Sequence, residues 1–583
     1  MKIVHWALED RNKILTTMSS SVLRIILLVL LAQFLPSTTR SLYCSEQRTK
    51  HGMVVSAHRL ASEVGVEIMK RGGNAIEAAV AVGFALAVVF PEAGNIGGGG
   101  FMLIRMHDEK AVTVDFREKA PKKATRTMYL DSAGIVTDKS VDGHLSVGVP
   151  GTVAGLLKAL DEFGTMKLHD VIEPSIQLAE HGFVVDDRLA ESFEDYKDIL
   201  LQYPSTVQTF TRGGQLFKEG DTLRQPDLAA TLRRIQEEGV DGFYQGTTAR
   251  LIVEEMRRGG GLITEDDLND YEAVVRQPLK GSYRGYEILA VPTPSSGGLC
   301  LLQLLNIVEG YDLASMGFHS SRSVHVMAEA MKRVYADRAE FMGDPDFVDV
   351  PVNMLISKEY AQMRRNEIDT LTATQSSLVH HGGIKLKEGE HTTHYCVVDR
   401  EGNVVSTTYT LNDLFGSKVV VGGAGFFLND EMDDFSSKPG VPNIYGLLGS
   451  EANAIEPEKR MLSSMCPTIV LKEGKPIIVL GARGGSRIIT TVFQTIVNVI
   501  DFGMNIQDAI DFPRFHHQWL PDTLIYEQFA FSTDVVYNLQ AIGHNPREKQ
   551  SATGQLEALY IDYEKGFIFG APDLREGGVA VGY

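Results

Sequence analysis

Two short runs of β-branched and aromatic residues, Tyr395 to Val398 and Val404 to Leu411, are separated by Asp-Arg-Glu-Gly-Asn at 399–403. This pattern commits the middle of the chain to an antiparallel hairpin. Pairing Val398 with Val404 puts Thr392 across from Thr410, and the two-residue period of a strand puts Asn412 on the same face as Thr410. Three polar side chains then converge at one end of an otherwise apolar hairpin. A slip of one residue would send all three to the other face, so the register carries the prediction.

A threonine opening a strand is ordinary in itself, because the residue favours strands. Its hydroxyl is a poor nucleophile without a base beside it. An α-amino group, with an unperturbed pKa of about 7.7–8.0, can serve as that base near neutral pH. Cutting the chain between His391 and Thr392 would place amine and hydroxyl on one residue. Thr393 is the competing hydroxyl.

Composition limits the setting. The chain has 583 residues, 44% of them hydrophobic, and a formal net charge of −19. That charge, with no basic stripe, excludes nucleic acid as an expected partner. Val22 to Leu35 is apolar but interrupted by Arg24 and Gln33, and is followed by Pro36 and a Ser/Thr-rich stretch. It falls short of the roughly 18–20 residues of a spanning helix, so residues 1–36 read as a secretory signal or a signal-anchor. Cys44, Cys300, Cys396 and Cys466 are too scattered for a disulfide framework. No Asn-X-Ser/Thr sequon occurs, which fits a bacterial-type exported protein. The expected location is periplasmic, secreted or at the cell surface.

Farther upstream, Arg59 to Arg71 reads as a helix stopped by Gly72-Gly73. Asn74 caps a second helix, apolar nearly all round, that runs to Phe90 before Pro91. Gly97 to Gly100 breaks the chain before a strand at Phe101 to Arg105. No Gly-Lys-Ser/Thr follows, so these glycines indicate close backbone packing rather than a phosphate loop. Residues 151–370 are mostly helical in period. Leu371 to Glu390 is polar and glycine-containing, and predicts an exposed, mobile segment. Strands at Thr468 to Leu471 and Ile477 to Leu480 precede a helix from Ile488 to about Phe502. Strands inside and helices outside predict layered helix–sheet–sheet–helix packing.

The segments TTHYCVVD, TYTLN, NDEMDDFSSKPGVPNIYG, RMLSSMCPTIV and GARGGSRIITT together resemble γ-glutamyltranspeptidases, especially the bacterial branch. GNIGGGGFM, VDFREKAP, SVGVPGTVAG, PTPSSGGL and YADRAEFMGDPDFV match the same family in the same order, so the resemblance runs from about residue 50 to the C-terminus. It implies an α+β fold, a four-layer αββα sandwich of the N-terminal-nucleophile hydrolase type. It implies a precursor that cuts itself into a large subunit, 45–391, and a small subunit, 392–583, which remain one integrated fold. The implied substrates are glutathione and other γ-glutamyl compounds, with water or acceptor amino acids and dipeptides taking the γ-glutamyl group. No cofactor and no metal are expected.

The resemblance also distributes roles. Thr392 is the nucleophile for both cleavage and turnover, oriented by Thr410. Gly484 and Gly485, where a strand turns into a helix, supply backbone N–H groups to an oxyanion. Arg117 takes the substrate α-carboxylate through its planar fork, helped by Ser463 and Ser464. Glu431, Asp434 and Asn412 hold the ammonium, and Asp430 and Asp433 read as solvated loop residues. Tyr445, in the Pro/Gly-rich stretch Lys438 to Gly449, reads as an exposed aromatic on a lid. His516-His517 lacks a completing metal-ligand set. Cys396 and Cys466 read as core residues. Two rivals stay open: a related acylase acting on β-lactam side chains, and an inert homologue that only binds.

Overall fold

The computed structural model describes residues 47–379 and 392–583. The signal or anchor segment, Cys44, His391 and residues 380–390 lie outside the described residues. No helix among the described residues is long and apolar enough to cross a membrane.

Two seven-stranded sheets dominate. Upstream of residue 392 lie β1 (Gln47–Thr49), β2 (Met53–Ser56), β3 (Gly99–Arg105), β4 (Ala111–Asp115), β5 (Val274–Arg276), β6 (Leu279–Tyr283) and β7 (Tyr286–Ala290). Downstream lie β8 (Thr393–Val398), β9 (Val404–Thr410), β10 (Thr468–Lys472), β11 (Lys475–Arg483), β12 (Gln555–Asp562), β13 (Phe567–Pro572) and β14 (Val579–Gly582). One sheet runs β14-β2-β8-β9-β3-β4-β5, the other β1-β13-β12-β11-β10-β7-β6. Both interleave strands from either side of residue 392, so a cut there would leave the parts bound through shared sheets.

The hairpin pairs as its sequence predicts. Val398 faces Val404, and the ladder ends on Thr393 opposite Tyr409. One further step brings Thr392 level with Thr410. Alternation then assigns faces: Cys396, Val398 and Val404 pack with Leu289, Ile469, Val479 and Leu559 of the other sheet. Tyr395, Val397, Val405 and Tyr409 face the opposite way, into a core shared with helix α2 (Ala75–Val89).

That helix is buried on every residue. Asn74 and Glu77 form a capping box at its start, which closes two donors the helix would otherwise leave open. Helix α1 (Arg59–Lys70) packs beside it. On the outer face of the other sheet lie α3 (Gly297–Val308), α4 (Ser321–Phe341) and α5 (Ile488–Ile500), sharing a core with Ile288, Val470, Ile478, Leu480 and Leu556. The result is the expected αββα order. Each side chain of Leu, Val or Phe size buried in these layers contributes roughly 1.5–3 kcal/mol.

The differences from sequence expectation are local. Strand β3 starts at Gly99 rather than Phe101, because the glycines let β9 come close. A Cβ on Gly98 would lie 1.9 Å from the Thr410 carbonyl oxygen. Strands β5 to β7 interrupt the stretch expected to be mostly helical. They are short and partly exposed, so their apolar period is weak. The segment 371–379 is mostly exposed, as expected, but it is tied down rather than mobile. Ala373 N–H donates to Ile542 O (2.7 Å), and Trp519 Nε1 donates to Ser376 O (2.9 Å) and Val379 O (3.1 Å).

Candidate active site

At the Thr392 end of the hairpin the chain encloses a small cavity lined by Thr392, Thr410, Asn412, Glu431, Asp434, Tyr445, Ser463, Ser464 and Gly485. Nine of the residues singled out in the sequence therefore meet in one place. Arg117 stands behind the acidic wall, and Gly484 precedes Gly485. The cavity holds about 20 Å³, close to the minimum for one water.

Thr392 is 4% exposed and sits one step before β8, on the face turned towards the other sheet. Thr393 points to the opposite face, where its buried hydroxyl has no hydrogen-bond partner among the described residues. Strand period alone separates the two threonines. Thr410 Oγ1 accepts from the Asn412 N–H at 2.8 Å. That bond holds Asn412 in a left-handed turn (φ 85°), where asparagine is tolerated. The Asn412 side chain donates to Asp430 O at 3.1 Å.

Arg117 is completely buried and forks between two carboxylates, with Nη1 on Glu431 and Nη2 on Asp434. Its Nε donates to Met461 O at 3.2 Å, and Glu118 lies 3.4 Å from Nη1. Burial works against the guanidinium charge, but Glu431, Asp434 and Glu118 outweigh it and hold Arg117 above its ordinary value. The acids are pushed the other way. Burial, opposed by Arg117, raises Glu431 well above the carboxylate range and Glu118 to about 7. Arg117 thus backs the acidic wall with a cation held against both side chains.

The two serines are set as donors. Ser463 Oγ accepts from Met465 N–H (3.1 Å), and Ser464 Oγ accepts from Arg338 Nη2 (3.2 Å). With a lone pair of each already used, each hydroxyl keeps a proton it can donate. Their loop is stapled to the 292–298 segment: Ser296 donates to Ser463 O through N–H (2.8 Å) and Oγ (2.6 Å).

Gly484 and Gly485 link β11 to α5, as expected, with φ of 127° and 54°. A Cβ on Gly485 would sit 2.5 Å from the Tyr445 ring. Glycine is needed there for both conformation and space.

Three expectations need correction. Asp430 and Asp433 are buried rather than solvated. Asp430 Oδ1 accepts from Asp413 N–H (3.0 Å), which ties the acidic segment to the Asn412 turn. Asp433, raised to about 6 by burial, accepts from Ile444 N–H (2.8 Å) and Ser140 Oγ (2.7 Å). Tyr445 is not exposed but 4% exposed, closing the cavity with its hydroxyl on Asn412 O at 2.7 Å. Asn443 Nδ2 donates to Asp434 Oδ1 (3.1 Å), so the acidic segment and the covering loop hold each other.

Sequence reasoning missed Arg338, Ser296, Asn443 and Gln518. Arg338, on α4, is buried and donates to Ser296 Oγ (2.9 Å) as well as to Ser464. Gln518 Nε2 reaches Tyr445 O (3.3 Å) and Gly446 O (3.4 Å) under the covering loop. The readable signal was an arginine inside an otherwise buried helix, within YADRAEFMGDPDFV.

His516 pairs with Thr490 (2.8 Å) and Gln518 (2.9 Å), and His517 with Asp522 (3.3 Å). Among the described residues, His325, Glu329 and His544 come within 4.8 Å of one another. Glu329 is already paired with Lys332 (3.0 Å) and Arg333 (2.8 Å), and those two cations oppose a metal ion. Cys300, Cys396 and Cys466 are buried.

A four-layer αββα sandwich with a hydroxyl at the head of a central strand defines the N-terminal-nucleophile hydrolase class. The comparisons are narrower. Residues 61–583 match the Gamma-glutamyltranspeptidase family model. The chain is 50% identical over 530 residues to a glutathione hydrolase proenzyme of Escherichia coli (strain K12), covering 91% of each chain. The crystal structure of Helicobacter pylori gamma-glutamyltranspeptidase superposes with a TM-score of 0.57 at 49% identity, covering 58% of this chain and 98% of that one. Cephalosporin acylase from Bacillus halodurans gives a TM-score of 0.81 at 28% identity, covering 94% and 99%. The chain belongs to the γ-glutamyltranspeptidase family.

Proposed function

We propose that this chain is an exported, self-cleaving γ-glutamyltransferase and glutathione hydrolase whose nucleophile is Thr392. The observation that carries the reading is the meeting of Thr392 with Glu431 and Asp434 in one small cavity, with Arg117 paired to both acids behind that wall. A hydroxyl nucleophile beside a clamp of both signs fits a substrate with free α-amino and α-carboxylate groups. A β-lactam side chain needs no such pairing, so the clamp favours γ-glutamyl transfer over the acylase reading. Export rests on Val22 to Leu35.

In processing, the Thr392 hydroxyl attacks the His391 carbonyl. The C–N bond breaks as an ester forms, which frees the Thr392 amine, and water then hydrolyses the ester, leaving the His391 carboxylate and restoring the Thr392 hydroxyl. In turnover the same oxygen attacks the γ-carbonyl of the bound glutamyl group, with the α-amine taking the proton; the γ-amide C–N bond breaks, that proton passes to the leaving amine, and water or an acceptor amine then resolves the ester. The N–H groups at Gly484 and Gly485 receive the developing negative charge. A donor lost from such a site typically costs roughly 2.7–4 kcal/mol of barrier. Arg117, Ser463 and Ser464 take the α-carboxylate, while Glu431, Asp434 and Asn412 take the ammonium. A space of about 20 Å³ cannot admit a glutamyl group, so Tyr445 must swing off Asn412 for substrate to enter.

Mass spectrometry of the smaller fragment after expression tests the assignment. The expected N-terminal residue is Thr392, with concurrent release of the leaving group from a chromogenic γ-glutamyl amide. A fragment starting at Thr393, or full activity in an uncut chain, defeats it.

A further inference from the structure

We propose that Gln518 is a positioning residue that sets the Gly484–Gly485 turn for oxyanion binding only when the loop carrying Tyr445 is closed. The proposal rests on the γ-glutamyl transfer reading above and adds a condition to it: closure over the bound glutamyl group completes the oxyanion site.

The Gln518 side chain sits between the two parts that have to act together. It is 7% exposed, and its amide uses every hydrogen-bonding position it has. Nε2 donates to Tyr445 O (3.3 Å) and Gly446 O (3.4 Å). Oε1 accepts from Ser486 Oγ (2.7 Å) and from His516 Nε2 (2.9 Å). Main-chain carbonyls can be met only by the NH₂ end, so the covering loop decides which way round the amide stands. Its oxygen then falls to Ser486 and His516. Burial, with Arg487 nearby, holds His516 well below its ordinary value, so the ring is neutral. Its N–H is the one at Nε2, and Nδ1 is left to accept from Thr490 Oγ1 (2.8 Å).

Ser486 follows the two glycines directly. A glycine pair has little steric preference of its own, so outside contacts must hold its N–H groups in one direction. Three such contacts are present. The Tyr445 ring lies against Gly485, so close that a Cβ there would sit 2.5 Å from it. Tyr335, on α4, donates its hydroxyl to Ser486 O. Gln518 holds the Ser486 hydroxyl. The first contact belongs to the covering loop and the third is oriented by it.

Swinging Tyr445 off Asn412, as substrate entry requires, takes both carbonyls away from Gln518 Nε2. A buried amide with two unmet donors is costly, so it turns to find others and its oxygen leaves Ser486. The turn then keeps one tie of three. Closure over a glutamyl group restores them all, when the γ-carbonyl needs donors aimed at it. Gln518 is not among the residues lining the cavity, so it acts through Ser486.

The test uses the split enzyme, release from a γ-glutamyl anilide, and glutamate as a competitive inhibitor. Gln518→Leu is expected to lower kcat tenfold or more while the glutamate inhibition constant stays within twofold of the parent. Oxyanion donors serve the transition state and not the bound ground state. Ser486→Ala cuts the same path at its other end and should lower kcat to a similar degree. The double variant should lie within twofold of Gln518→Leu alone, since one contact cannot be lost twice. Adding Gln518→Leu to Tyr445→Ala should deepen the loss less than threefold. If Gln518→Leu stays uncut on a denaturing gel, Ser486→Ala carries the test through the same two readings. A kcat within twofold of the parent in the split variants overturns the proposal, as do losses that multiply in the doubles. Glutamate inhibition that weakens in step with kcat also overturns it, because damage to the glutamyl cavity then explains both. A parent enzyme that releases no anilide overturns the transfer reading itself.

Discussion

Arg117→Lys keeps the charge but removes the fork, and its cost can be worked from the structure. The parent side chain serves Glu431 and Asp434 through separate nitrogens, and Met461 O through Nε at 3.2 Å. A lysine ammonium can keep one carboxylate at best. One charge-assisted bond, worth roughly 1.5–3 kcal/mol, and one neutral bond of about 1 kcal/mol are lost. The abandoned carboxylate takes up a proton rather than staying charged, because burial already pushes both acids upward. The expected loss of folding stability is about 2.5–4 kcal/mol, read by urea unfolding of the split protein. On the proposed substrate, losing one arm of a two-armed carboxylate contact costs about 1.5–3 kcal/mol, or roughly 10–100-fold in KM. That contact is the same before and during the reaction, so kcat should change only a few-fold. Steady-state release from a γ-glutamyl anilide measures both constants, and a denaturing gel confirms that the chain has split. A split, folded variant with KM within twofold of the parent would refute the carboxylate assignment. A fall in kcat at constant KM would instead place Arg117 at the reacting carbon.

Two further predictions test the surroundings of the site. Gly485→Ala forces a Cβ 2.5 Å from the Tyr445 ring and an alanine into φ 54°; the left-handed strain alone costs about 1–2 kcal/mol. Adding Tyr445→Ala should recover the clash but not the strain, and complete recovery in denaturant titrations would show that conformation was not limiting. Glu557 is buried and raised by that burial from 4.5 to about 8. The folded protein thus keeps a proton that the unfolded chain loses, and stability falls as pH rises from about 4.5 to 8, by roughly 3–5 kcal/mol at about 1.4 per pKa unit. Glu557→Gln should flatten that slope, and an unchanged pH profile of unfolding would count against a protonated Glu557.

Much of the architecture was legible because its causes are local. The hairpin register followed from a turn at 399–403 and two-residue alternation, and the start of α2 followed from Asn74 and Glu77. The preference for Thr392 over Thr393 came from the family resemblance, and the period of a strand sets the two on opposite faces. The acidic segment was misjudged because NDEMDDF looks solvated in isolation. Its burial depends on Arg117, more than 300 positions upstream, which supplies the opposing charge. Tyr445 looked exposed for a similar reason: the space it fills exists only where Gly485 lacks a side chain. Strands β5 to β7 were hidden because they sit towards one edge of each sheet, where one-sided exposure erases the apolar pattern.

By itself, the sequence determined which residue types the site contains and the face of the hairpin from which Thr392 would act. Those are matters of order along the chain and of backbone period. Tertiary structure alone decided that the Arg117 cluster would close on itself beneath Tyr445, with Arg338 donating to Ser464 and Glu92 lining a separate cleft. Charges come to share a buried space only when distant segments pack, and burial then sets which of them hold a proton.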